Sequence, residues 1–156
     1  MQTAQARLYR YLEHLVALEM FLLMVTVAVD VMGRYLLNKP LPAGYELIQV
    51  QMGIVAFTAL PLLSRQNDHI ALGLLDHLFT GIAGRVQSFV VNLFSAMAMG
   101  FLAWRIGAYA RQLGAMDERT PVLGFPFAPL GHFMSAMAWI SAGLLLVLAL
   151  RMQRRS

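Results

Sequence analysis

The sequence contains no cysteine, which excludes disulfides, thiolate metal sites and cysteine nucleophiles. Charge is scarce as well. Asp, Glu, Lys and Arg together supply 13% of the 156 residues, about half the share usual in a soluble domain. No glycine-rich phosphate loop, nucleophile elbow or motif-spaced pair of metal ligands is present. What the chain has instead is apolar surface. Hydrophobic residues make up 59%, more than a soluble fold of this size can hide, because small domains bury only part of their chain. A bilayer removes that difficulty. A single membrane domain over residues 1–156 is expected at this length.

Four apolar runs stand out, roughly Leu15–Leu37, Leu47–Leu63, Val86–Ile106 and Leu130–Leu150. Each is long enough, at about 1.5 Å per residue, for a hydrocarbon core of about 30 Å. Backbone groups in lipid must be satisfied within the segment, so all four runs are expected to be helices. Polar turns separate them: Asn38 to Pro42 after the first, Ser64 to Asp68 after the second, and Pro121, Pro126 and Pro129 before the fourth. The first run reads as a retained span and not a signal peptide, because it is long, holds Glu19 and Asp30, and lacks a clean small-residue cleavage site.

Between the second and third spans, residues 69–82 place Ala71, Leu74, Leu75, Leu78, Phe79 and Ile82 at helical spacing, with Gly73, Asp76, His77 and Thr80 opposite. This amphipathic stretch is too short and polar to cross. It fits a helix lying in the membrane interface, and equally a connecting helix packed on the bundle. The net charge of +4 reads as topology. With an even number of spans both termini share a side. That side carries Arg7, Arg10, Arg65, Arg85, Arg151, Arg154 and Arg155, against Arg34, Lys39, Arg105, Arg111 and Arg119 on the other. Seven against five favours cytoplasmic termini. The arginines are too scattered for a nucleic-acid stripe.

Polar residues inside apolar runs are costly and need partners. Glu19 and Asp30 are eleven residues apart and return to nearly one helical face. They could line an ion or proton path. The favoured reading is structural: Glu19 shallow near Arg10 and His14, and Asp30 paired with Arg34 at i, i+4, the acid in the better N-terminal position. Glu46 opens the second span, where an acid suits the positive helix end. A specific contact with Arg34 or with a partner is the alternative. His14, His69, His77 and His132 all sit at or beyond span ends, so no haem or metal cofactor is expected. Ala96 with Gly100, Gly131 with Ser135 and Ala138 with Ala142 follow small-xxx-small spacing, which lets helix backbones approach closely. Asn92 and Ser95 read as polar glue between helices.

Taken in order, the block Gly33-Arg34-Tyr35-Leu36-Leu37-Asn38-Lys39-Pro40-Leu41-Pro42, then Glu46, then Asn67-Asp68-His69-Ile70, then Thr120-Pro121-Val122-Leu123-Gly124-Phe125-Pro126, resembles the small membrane (DctQ-like) subunit of tripartite ATP-independent periplasmic (TRAP) transporters. The resemblance spans nearly the whole chain. It implies a large multi-span subunit that carries substrate and sodium, and a periplasmic binding protein that delivers an organic acid. In that family the small subunit is a fixed scaffold in the bacterial inner membrane that helps dock the binding protein. Arg34, Pro40, Glu46 and His69 match its recurrent positions; Asn67-Asp68 departs from the basic or glycine residue expected before the histidine. The partners implied are those two proteins and membrane lipid. No catalytic residues are expected, so the chain reads as a non-enzyme.

Rival readings remain. A stand-alone small multidrug exporter also has four spans and a membrane glutamate, but wants it central in the first helix and lacks a long amphipathic connection. A cytochrome or membrane-enzyme anchor is disfavoured by the histidine placement. The small subunit of tripartite tricarboxylate transporters has the same size and span count and is ranked lower because of the Arg34-to-Pro42 block.

Overall fold

The computed structural model describes the backbone of residues 2–73 and 82–153 and the side chains of residues 9–64 and 89–150. Within them the chain forms four helices: α1 Gln2–Leu36, α2 Gly44–Gly73, α3 Ile82–Ala115 and α4 Phe127–Gln153. Among the described residues there is no strand, only an isolated antiparallel bridge between Arg119 and Pro126. The fold is all-α, as expected.

Each helix contains a stretch long and apolar enough to cross a membrane: Tyr9–Leu36, Gly44–Ser64, Phe89–Ala115 and Phe127–Leu150, with mean hydropathies from 1.6 to 2.3. These stretches hold the second and fourth apolar runs whole, the first as far as Leu36 and the third from Phe89. α3 continues beyond its run, from Ile106 to Ala115, and so takes Arg111 inside the helix and leaves Arg105 ten residues from its end. Of the amphipathic stretch, residues 69–73 continue α2 and Ile82 opens α3; residues 74–81 lie outside the described residues, so its interfacial placement is not described.

The main packing contacts join α1 to α2, α2 to α4, and α4 to α3. The spatial order is therefore α1–α2–α4–α3, with α1 and α3 at the edges. No more than a third of any apolar stretch is buried inside the chain, so most of the hydrophobic surface faces lipid or another protein.

The closest packing is the antiparallel seam of α3 and α4. Gly100, Ala103, Gly107, Ala110 and Gly114 face Trp139, Ser135, Gly131 and Ala128, and buried Ala96 on α3 and Ala138, Ala142, Leu145 and Ala149 on α4 continue the same spacing. Spacings of three and four alternate along both helices, the repeat that keeps a seam facing its partner. A Cβ on Gly131 would lie 2.7 Å from Ala110 Cβ, and one on Gly107 would lie 2.9 Å from Ser135 Oγ. Only small side chains permit this approach. Buried Ser135 donates its hydroxyl to the Ala103 carbonyl at 2.8 Å, a polar link across the seam. Of the small-residue pairs, Gly131/Ser135 and Gly100 lie in this contact, and Ala96, Ala138 and Ala142 are buried at the same spacing.

Candidate functional site

Four of the residues singled out in the sequence, Asp30, Arg34, Pro40 and Glu46, converge at the end of the bundle formed by the α1–α2 and α3–α4 connections. The α1–α2 corner begins where α1 runs out of hydrogen-bond partners. The Gly33 carbonyl accepts N–H bonds from both Leu37 and Lys39, at 3.2 and 2.9 Å, while Asn38 turns the chain with φ +50°. Gly33 has to be glycine, since a Cβ there would sit 2.7 Å from the Lys39 carbonyl oxygen.

Asp30 is the anchor of this corner. It is 7% exposed, and its two carboxylate oxygens do different jobs. Oδ2 accepts from Arg34 at 2.8 Å, and Oδ1 accepts the Leu41 backbone N–H at 3.0 Å. One buried acid therefore ties the last turns of α1 to the chain that returns into α2. Gly44 makes room for it, because a Cβ at that position would lie 2.9 Å from Asp30 Oδ1. Ala43 is held in the left-handed region, φ +59°, a conformation costing a residue with a Cβ roughly 1–2 kcal/mol. Hydrogen bonds on either side, Leu41 to Asp30 and Gly44 N–H to the Leu41 carbonyl at 2.9 Å, hold the chain there. Pro40 and Pro42 lie exposed on the same corner.

Glu46 repeats the device across the bundle. It lies in the first turn of α2 and is 8% exposed. Its Oε1 accepts the Val122 N–H and its Oε2 the Leu123 N–H, both at 2.9 Å, and the Thr120 side chain lies beside it. Those donors belong to the α3–α4 connection. α3 ends in a left-handed Asp117, φ +48°, with Glu118 N–H reaching back to the Leu113 carbonyl and Asp117 N–H to that of Gly114. A tight hairpin follows, closed by Thr120 N–H to the Phe125 carbonyl at 2.9 Å and Phe127 N–H to the Glu118 carbonyl at 3.1 Å. Gly124 supplies the positive φ of +64°, and buried Thr120 accepts the Phe125 N–H on its Oγ1 at 2.9 Å. The hairpin projects its apolar tip outward: Val122 is 68% exposed and Leu123 50%. Beside it, Arg119 pairs with Asp117 at 3.0 Å, and that carboxylate holds the guanidinium above its ordinary pKa.

Asp30, Arg34, Pro40 and Glu46 therefore meet at one end. Glu19 does not join them. Its carboxyl lies against the side chain of Thr58 on α2 and leaves Oε2 buried without a partner; among the described residues it makes no ion pair with Arg10 or His14. His69 lies near the far end of α2, and its side chain is outside the described residues. Among the described residues no group of three His, Asp or Glu side chains could hold a metal ion, and His14 and His132 are exposed. Sequence reasoning missed the Thr120–Phe125 hairpin as Glu46's partner. The only available signal was the Thr-Pro to Phe-Pro pattern itself.

Comparison with known proteins bears on the same segments. The Ectoine TRAP transporter small permease protein TeaB of Halomonas elongata is 23% identical over 132 residues, covering 81% of this chain and 68% of that protein. The family described as "Tripartite ATP-independent periplasmic transporters, DctQ component" matches residues 23–155, a stretch that includes the Asp30 corner, Glu46 and the whole α3–α4 hairpin. By that match the chain belongs to the DctQ component family and is a small permease subunit of TRAP transporters, a multi-pass membrane protein.

Proposed function

We propose that this chain is the static membrane scaffold of a sodium-driven, binding-protein-dependent importer of organic acids. It braces a large transport subunit and offers its loop end to the periplasmic binding protein. It performs no chemistry of its own. In this reading the loop end faces the periplasm, and the termini are cytoplasmic at the inner membrane, as the distribution of basic residues favours.

The observation that carries the proposal is the pair of buried carboxylates, Asp30 and Glu46, each spent on backbone N–H groups of a connection. Neither is left over for cargo, and both stiffen a surface that a soluble partner could meet. The largely unburied spans support it too, since a surface this apolar suits a membrane partner as well as lipid.

The test is reconstitution of three components in vesicles: this chain, the large subunit and the binding protein. We expect organic-acid uptake that needs all three and an inward sodium gradient, and none with this chain alone. Uptake by the chain alone, or full uptake without it, would overturn the proposal.

A further inference from the structure

Arg105 is exposed, and it lies well inside a membrane-spanning helix. It is ten residues from Ala115, about 15 Å along the helix, and sixteen from Phe89, about 24 Å. Across the seam Gly131 opposes Ala110 and Ser135 opposes Gly107, which puts Arg105 level with Met137, the eleventh of the twenty-four residues in the α4 span. Among the described residues nothing bonds to it: the ion pairs are Arg34–Asp30 and Arg119–Asp117.

Its direction is set by the seam. Arg105 comes two residues after Ala103 and two before Gly107, both of which face α4. Two steps of about 100° turn it to the opposite side. Since α3 is an edge helix, that side faces out of the bundle. The same stripe carries exposed Phe94, Phe101, Tyr109 and Gln112, so a polar patch of Arg105, Tyr109 and Gln112 sits above an aromatic one. Polar side chains in spans normally face protein or a wet cavity, because an unpaired charge in hydrocarbon is expensive. Escape to the surface is hindered. The Cα–Cβ bond of a helical residue leans toward the helix N-terminus, here away from the nearer membrane surface, and an extended arginine reaches only about 7 Å.

We infer that Arg105 forms an ion pair, within the membrane, with a carboxylate on a transmembrane helix of the large transport subunit, packed against the outward face of α3. This rests on the scaffold reading above and names the contact by which the scaffold is held. The pairing supplies specificity: a guanidinium buried at an interface needs one acceptor at one depth, whereas apolar packing tolerates sliding. Phe94 and Phe101 give the contact its area and Tyr109 and Gln112 its polar rim.

The test uses the affinity-tagged chain co-expressed with its large subunit. Wild-type chain should retain the large subunit through purification. Arg105→Glu should reduce the retained amount at least tenfold, Arg105→Gln several-fold, and Arg105→Lys little. The same charge reversal on the exposed loop, Arg119→Glu, should change nothing. p-Benzoylphenylalanine in place of Phe101 should crosslink to the large subunit, and a single acid-to-lysine change on the crosslinked helix should restore retention of Arg105→Glu. If Arg105→Glu fails to insert, Arg105→Gln decides. Wild-type retention by both variants would overturn the inference while sparing the scaffold reading. So would crosslinks to a second copy of this chain, or an anionic lipid lost from native mass spectra of Arg105→Gln while the subunits stay together. Failure of wild-type chain to retain the large subunit would bring down both.

Discussion

Replacing Gly131 with alanine adds one methyl group where the structure has no room. The new Cβ would sit 2.7 Å from Ala110 Cβ and 3.3 Å from its Cα, against an optimum of about 3.5–4.0 Å between carbons. Both partners are backbone or its first side-chain atom, so no rotamer change relieves the overlap, and α3 and α4 must part by about 1 Å. Overpacking of this kind costs typically about 1–3 kcal/mol. One turn along, the Ser135–Ala103 hydrogen bond starts at 2.8 Å and would stretch past its useful range, at about 0.6 kcal/mol on average for a membrane hydrogen bond. The expected loss is therefore roughly 1.6–3.6 kcal/mol. The assay is unfolding of the purified chain in mixed micelles by titration with sodium dodecyl sulfate, followed by circular dichroism. Gly143→Ala is the matched control: same helix, same change, and nothing within 4 Å of the added Cβ. It should be neutral or slightly stabilising, since alanine is the better helix former. If Gly131→Ala unfolds at the same point as Gly143→Ala, the claim that the seam is at its closest approach is wrong.

Other perturbations probe the two carboxylates. Glu46→Gln keeps one acceptor oxygen but turns an amide toward the second backbone N–H, so the Val122 and Leu123 amides should exchange hydrogen roughly tenfold faster while insertion is normal. Unchanged exchange would deny the clamp its role, and transport by the assembled complex should fall in the same variant. Asp30→Ala strands the Leu41 N–H, at a cost on the order of 1 kcal/mol, and should lower thermal stability more than Arg34→Ala does. The Arg34 side chain is 61% exposed, and exposed ion pairs contribute little; equal effects from the two substitutions would contradict that ranking. Gly44→Ala should resemble Asp30→Ala, because its methyl group displaces the same carboxylate oxygen, and a double variant no less stable than either single one is the expected sign of a shared contact.

The parts of this protein that local chemistry decides were legible in its sequence. Four apolar runs of bilayer length have one physical solution, so the helices follow. Asp30 and Arg34 are four residues apart on a helix, and that spacing alone places them side by side. Small residues on α3 and α4 pointed to close packing, although the full repeat through Gly107, Ala110 and Gly114 emerges only when the two helices are aligned. Glu46 was different. Its partners are backbone N–H groups 76 and 77 residues away, and every non-proline residue carries such a donor, so composition cannot mark which ones are used. The choice depends on the hairpin that Thr120 and Gly124 shape. Arg105 was obscured for another reason. It sits at the end of an apolar run, where a basic residue ordinarily marks the membrane surface, but α3 stays helical to Ala115 and the stretch apolar enough to span a membrane extends ten residues past it.

The order α1–α2–α4–α3 has a consequence for what the chain can and cannot enclose. Four helices joined in a ring surround a lumen; four joined in a row make a panel, with two broad sides, two rims and no inside. The helix contacts among the described residues close no ring around a lumen. Both broad sides of the panel are largely unburied among the described residues, so a partner that packs on it meets a side or a rim and not an interior.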